Sequence, residues 1–97
     1  MNSASRKLVK KVRIVNDLGL HARAAAKMAD IASKAEGNIW LTTRNQDKSQ
    51  KVDATSVIDI LSVACSKGTD ITLEAESDSD AGILDELVRL VETGFGE

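Results

Sequence analysis

Proline and tyrosine are absent from the 97 residues, and cysteine and histidine occur once each. A single cysteine excludes an intramolecular disulfide. Cys65 with His21 also falls short of the four ligands of a closed zinc site, so no metal is expected and Cys65 reads as a small apolar residue. A turnover enzyme would need more functional groups than the chain offers. It has no second histidine, no glycine-rich phosphate loop and no metal cluster. No apolar run approaches the roughly 20 residues of a membrane helix. The opening MNSASRKLVK has no apolar stretch of the kind a signal peptide carries, so a cytoplasmic location is expected. A formal net charge of −2 argues against nucleic-acid binding. No proline, repeat or linker divides the chain.

What is present suits one domain with its own core. Hydrophobic residues make up 42% and charged residues 29%, an ordinary balance for a globular domain. Residues 1–10 are expected to form a flexible basic arm and residues 11–95 the folded unit. In residues 11–15, Val12 and Ile14 alternate with Arg13 and Val15, which is the period of a strand. Residues 16–19 break the pattern as a turn. Ala25, Met28, Ala29 and Ala32 then recur at helical spacing, and Gly37 is expected to stop that helix.

Residues 38–44 and 48–54 read as two strands of a hairpin across a polar turn at 45–47. Residues 55–68 read as a helix with Val57, Ile60, Leu61 and Ala64 on one face. Residues 69–77 alternate as a fourth strand, and a last amphipathic helix starts at Asp80 and closes at Gly94. The order β-α-β-β-α-β-α predicts an α+β fold, a four-stranded antiparallel sheet with three helices on one face.

His21 falls at the N-cap of the first helix. The first N–H groups of a helix lack intrahelical partners, and its summed dipoles favour an anion there. A neutral imidazole is a nucleophile, and a phosphoryl group bound to it would meet those N–H groups. Arg23 adds a guanidinium fork suited to phosphate. Gly19 gives the preceding loop a backbone freedom that other residues lack. Taken alone, the same residues also fit a plain cap and a solvated arginine.

The wider pattern decides between these readings. "GLHAR" opens the first helix, "SVIDIL" the second, and "SKGTDITLEA" leads into the last strand. Together these resemble HPr, the histidine phosphocarrier family of the bacterial phosphotransferase system, over about residues 11–95. The resemblance implies an open-faced β-sandwich and no cofactor. It implies that His21 is phosphorylated on Nδ1 with Arg23 assisting, and that the chain carries phosphoryl groups stoichiometrically and is not an enzyme. Enzyme I would be the donor, charged from phosphoenolpyruvate, and an enzyme IIA component the acceptor.

It also implies a docking patch of Val57, Ile58 and Leu61 on the second helix, with Ala24 among the partner-binding residues. Ala24 departs from the family's usual proline. Ser56 matches a position that some bacteria phosphorylate for regulation, although Ser56 with Asp59 also resembles a capping box. Residues 55–58 and the ending ETGFGE look more like the nitrogen-related NPr branch than the sugar-transport branch. A monomer suits a carrier that shows one face to two partners in turn. The rival reading is a non-phosphorylated adaptor of the same fold, acting through the second-helix patch.

Overall fold

Alternation and helical spacing produce the expected elements, with shifted ends. A computed structural model of the chain describes residues 8–45, 48–63 and 65–97. The strands are β1 (Leu8–Arg13), β2 (Ile39–Asn45), β3 (Lys48–Asp53) and β4 (Asp70–Ala75). The helices are α1 (Ala22–Ala32), α2 (Val57–Ser62) and α3 (Ala81–Glu92). Short 3-10 turns at Asp78–Asp80 and Gly94–Gly96 flank α3. Residues 1–7 of the expected arm, residues 46 and 47 of the hairpin turn, and Ala64 lie outside the described residues. Leu8 to Lys10, also expected in the arm, belong to β1 and pair with Ala75, Glu74 and Leu73. No helix among the described residues is long and apolar enough to cross a membrane.

The sheet is antiparallel in the order β1-β4-β2-β3. Register fixes which side chains meet. Val12 stands opposite Ile71, Leu41 opposite both Leu73 and Val52, and Ile39 opposite Ala75. These positions point toward the helices, and Ile39, Leu41, Leu73 and Ala75 are fully buried. From α1 the core receives Ala25, Met28, Ala29 and Ala32, and from α3 Leu84, Leu87 and Val91. The alanines keep α1 close to its neighbours, and close packing of this kind is felt to the last methylene. The other face of the sheet carries Lys11, Arg13, Trp40, Thr42, Arg44, Lys51, Asp70 and Thr72, none of them buried.

Two helices end earlier than their sequence signals. The helix expected to run to Gly37 ends at Ala32. The N–H groups of Lys34 and Ala35 tighten onto the carbonyls of Ile31 and Ala32 at 3.1 Å each. Those of Glu36 and Gly37 donate to the Asp80 carboxylate at 2.9 and 2.8 Å. Asp80 is only 2% exposed, so these two donors are what make its burial tolerable.

The helix expected over 55–68 spans only Val57–Ser62. After Val63 the chain turns away, and the Cys65 carbonyl accepts the Leu20 N–H at 2.9 Å. That bond ties the segment after α2 to the loop before α1, and so brings the end of α2 to the start of α1. Burial pushes the Cys65 thiol above its ordinary value, consistent with an inert packing residue.

Candidate functional site

The loop from Ile14 to Leu20 is held at both ends by backbone. The Ile14 N–H donates to the Thr69 carbonyl at 2.9 Å, and the Gly68 N–H to the Ile14 carbonyl at 2.7 Å. Gly19 has φ +65°, and a Cβ there would lie 2.5 Å from the Cys65 carbonyl oxygen. Positive φ and close approach both demand glycine. The backbone freedom expected of Gly19 is therefore used.

His21 is the N-cap of α1, with extended backbone at φ −77° and ψ 177°. Its carbonyl accepts the Ala25 N–H at 2.8 Å. Its side chain makes no capping bond, so the N–H groups of the first turn keep their donors open. The imidazole instead turns to Glu97, with Nε2 against Glu97 Oε2. A carboxylate only accepts, so in the neutral ring Nε2 carries the proton and Nδ1 keeps the lone pair.

Glu97 has further partners. Its Oε1 accepts from Asn16 Nδ2 at 3.1 Å, and that same nitrogen donates to the Gly19 carbonyl at 2.8 Å. Asn16 is buried, and its Oδ1 has no protein partner among the described residues. The hydrogen bond to His21 is the largest cause that holds the Glu97 carboxyl below its ordinary value. Desolvation opposes it, while Asn16 and the charges of His21 and Lys27 add to it.

The tail that delivers Glu97 is anchored twice. Phe95 is fully buried, and Lys27 Nζ on α1 donates to its carbonyl at 2.7 Å. Phe95 takes φ +60°, unusual for a residue with a Cβ. Burying a phenylalanine contributes about 1.5–3 kcal/mol, which offsets a left-handed backbone cost of about 1–3 kcal/mol. Composition and spacing do not single out Glu97. The only signal at that end is Gly-Phe-Gly, a turn with an apolar anchor.

The other expected residues divide. Arg23 is exposed on the first turn of α1 and makes no hydrogen bond or ion pair among the described residues, so its guanidinium is available. Ala24 is fully buried beside Ala25. Its expected place among partner-binding residues is corrected: the third helical residue faces the core and cannot offer its side chain to a partner. Ser56 is the N-cap of α2 and accepts the Asp59 N–H at 3.2 Å. The reciprocal half of the capping box is missing, because the Ser56 N–H donates to the Asp53 carbonyl at 3.1 Å.

Ile58 is 79% exposed and Leu61 38%, Val57 is half-buried, and Ile60 carries the packing of α2. Leu18, 71% exposed, extends apolar surface onto the loop before His21.

Comparison with known proteins identifies the family and the fold. The PTS-HPr family, described as "PTS HPr component phosphorylation site", matches residues 8–93. A phosphocarrier protein HPr of Neisseria meningitidis is 33% identical over 90 residues, covering 93% of this chain and 97% of that one. A phosphocarrier protein NPr of Shewanella violacea is 36% identical over 91 residues, covering 94% and 96%. The crystal structure of an HPr from Thermoanaerobacter tengcongensis superposes with a TM-score of 0.80 at 38% identity, covering 93% and 97%. The four-stranded sheet with its three helices is thus the open-faced sandwich of these carriers, and the chain belongs to the HPr family of the phosphotransferase system.

Proposed function

We propose that His21 accepts a phosphoryl group on Nδ1 from enzyme I and passes it to an enzyme IIA component. The observation that carries this reading is the engagement of Nε2 by Glu97, which leaves Nδ1 as the basic nitrogen beside an uncapped helix start. The Nδ1 lone pair forms the new N–P bond in line with the breaking bond to the donor's histidine nitrogen. The electron pair of that bond returns to the donor ring. Glu97 supports the positive charge that develops on the His21 ring through the Nε2–H. The transferred oxygens find the open N–H groups of the first turn of α1 and the unpaired guanidinium of Arg23. Onward transfer to the acceptor histidine is the same step reversed. The chain ends each cycle as it began, a carrier whose contribution is positioning and charge.

The partner surface in this reading is Ile58 and Leu61 on α2 with Leu18 on the loop, apolar groups flanking the nucleophile. Val57 contributes its exposed edge. A phosphate on Ser56 would add about −2 charge beside Ile58 and hinder docking on that apolar surface. The protein acts as a cytoplasmic monomer.

The test is incubation with enzyme I and phosphoenolpyruvate. Acid-labile, base-stable phosphate on the wild type and none on His21→Ala is the expected result. An unlabelled wild type, under conditions that charge another HPr, would favour the adaptor reading instead.

A further inference from the structure

The face of the sheet away from the helices sorts its charge by register. One row crosses all four strands: Lys11 opposite Thr72, Thr72 opposite Thr42, and Thr42 opposite Lys51. In the neighbouring row Arg13 stands opposite Asp70, and Arg44 opposite Ser49. Apart from Lys51, these side chains line a depression of about 530 Å³.

Charge in the depression opposes that of the whole molecule. The chain carries −2 overall, whereas the depression holds three cations and one carboxylate. Asp70 is already engaged, accepting from Arg13 Nε at 2.8 Å and from its second guanidinium nitrogen at 3.2 Å. Lys11 on β1 and Arg44 on β2 make no ion pair among the described residues. They flank β4 from either side and line the same depression. The Asp70 carboxylate also feels the charge of Lys11, yet with three cations in the depression it leaves a net positive charge there for an anion to meet. Thr42 and Thr72, half-buried between the two cations, add neutral hydroxyl donors.

We infer that this open face binds a small phosphate-bearing anion of two or more charges. Lys11 and Arg44 clamp it, and the Thr42 and Thr72 hydroxyls donate to its oxygens. A nucleotide or nucleic acid fits less well. Trp40 is the only tryptophan, Lys51 Nζ lies 5.1 Å from the centre of its ring, and its indole N–H donates to Glu76 at 2.6 Å. One face of the ring already carries the Lys51 ammonium, and Trp40 does not line the depression. The site shares no residue with the loop or helix start that hold His21, so the ligand would be sensed apart from the phosphoryl group being carried.

The test is an amide NMR titration of the full chain with inorganic pyrophosphate at constant ionic strength. Saturable shifts at Lys11, Thr42, Arg44 and Thr72, not reproduced by sodium chloride, are expected. The double variant Lys11→Gln, Arg44→Gln should weaken them at least about tenfold, as loss of charge-assisted bonds would. It should still be phosphorylated on His21 by enzyme I at the wild-type rate. Thr42→Val keeps every charge, and a several-fold weakening there would distinguish a built site from diffuse attraction. Shifts confined to residues 21–24, a response equal to that of chloride, or a double variant that titrates like the wild type would each overturn the inference.

Discussion

The carbonyl of Cys65 occupies the space a side chain on Gly19 would need, and it also accepts the N–H of the next residue, Leu20, at 2.9 Å. One oxygen thus fixes the loop before α1 to the segment after α2. Gly19→Ala should be destabilised by about 1–3 kcal/mol from the positive φ alone, with the overlap adding to it. Urea unfolding measures this, and a wild-type midpoint would show that the loop can leave Cys65 at no cost.

The pairing of Glu97 with His21 has a pH signature. The Glu97 carboxyl is held below its ordinary value, chiefly by His21. A depressed carboxylate contributes its interaction fully above the unfolded value and loses it as pH falls through the folded one. The tail should therefore stay docked near neutral pH and release only below the ordinary carboxylate range. Following the Phe95 amide and the His21 ring by NMR from pH 7 down to 2 tests the order. In Glu97→Gln the acid step should vanish from the His21 ring signals. Its persistence would assign the step to another group.

Asp80 is the buried latch between the end of α1 and the start of α3. Asp80→Ala leaves the N–H groups of Glu36 and Gly37 without their acceptor. Hydrogen bonds to a charged group are worth about 1.5–3 kcal/mol each, so a loss near 3 kcal/mol is expected after partial rescue by water. Thermal or denaturant unfolding reads it directly. A loss below about 0.5 kcal/mol, the range of ordinary surface changes, would mean water replaces the carboxylate fully.

Ile58→Glu separates docking from packing. At 79% exposure the side chain contributes little to the core, so stability should stay within about 0.5 kcal/mol of wild type. Affinity for enzyme I, measured by titration calorimetry, should drop about tenfold or more, because a charge would be buried against an apolar partner surface. Unchanged affinity would move the docking face elsewhere.

Arg23→Ala should fold normally and accept phosphate slowly, since no contact among the described residues depends on it. Losing one charged donor to a transferring group typically costs about a hundredfold or more in rate. Rapid-quench transfer kinetics measure this, and a wild-type rate would remove Arg23 from the site.

Strand alternation and helical spacing made the fold legible. Val12, Ile14, Ile39, Leu41, Ile71 and Leu73 are buried where period-2 reading places them, and Met28 and Leu87 where helical spacing does. Helix ends were less legible, because long-range partners decide them: Asp80 for α1, and the Leu20–Cys65 bond for α2. Within the site, His21 announces itself by uniqueness and by its place before a helix. Glu97 does not, because nothing local says that Phe95 will bury and turn the chain back. Ala24 misled for a related reason. The family resemblance put it among the partner-binding residues, yet a helix turns about 100° per residue and carries it into the core.

The order β1-β4-β2-β3 has a consequence for how the chain matures. The first strand finds its neighbour only in residues 70–75, so the β2–β3 hairpin forms from local contacts while β1 waits. Contacts of such sequence separation come late in folding. The loop bearing His21 hangs from β1 and is tied down by Cys65, Gly68 and Thr69. A chain that has not closed the sheet therefore holds the His21 imidazole without the backbone that sets it at the start of α1.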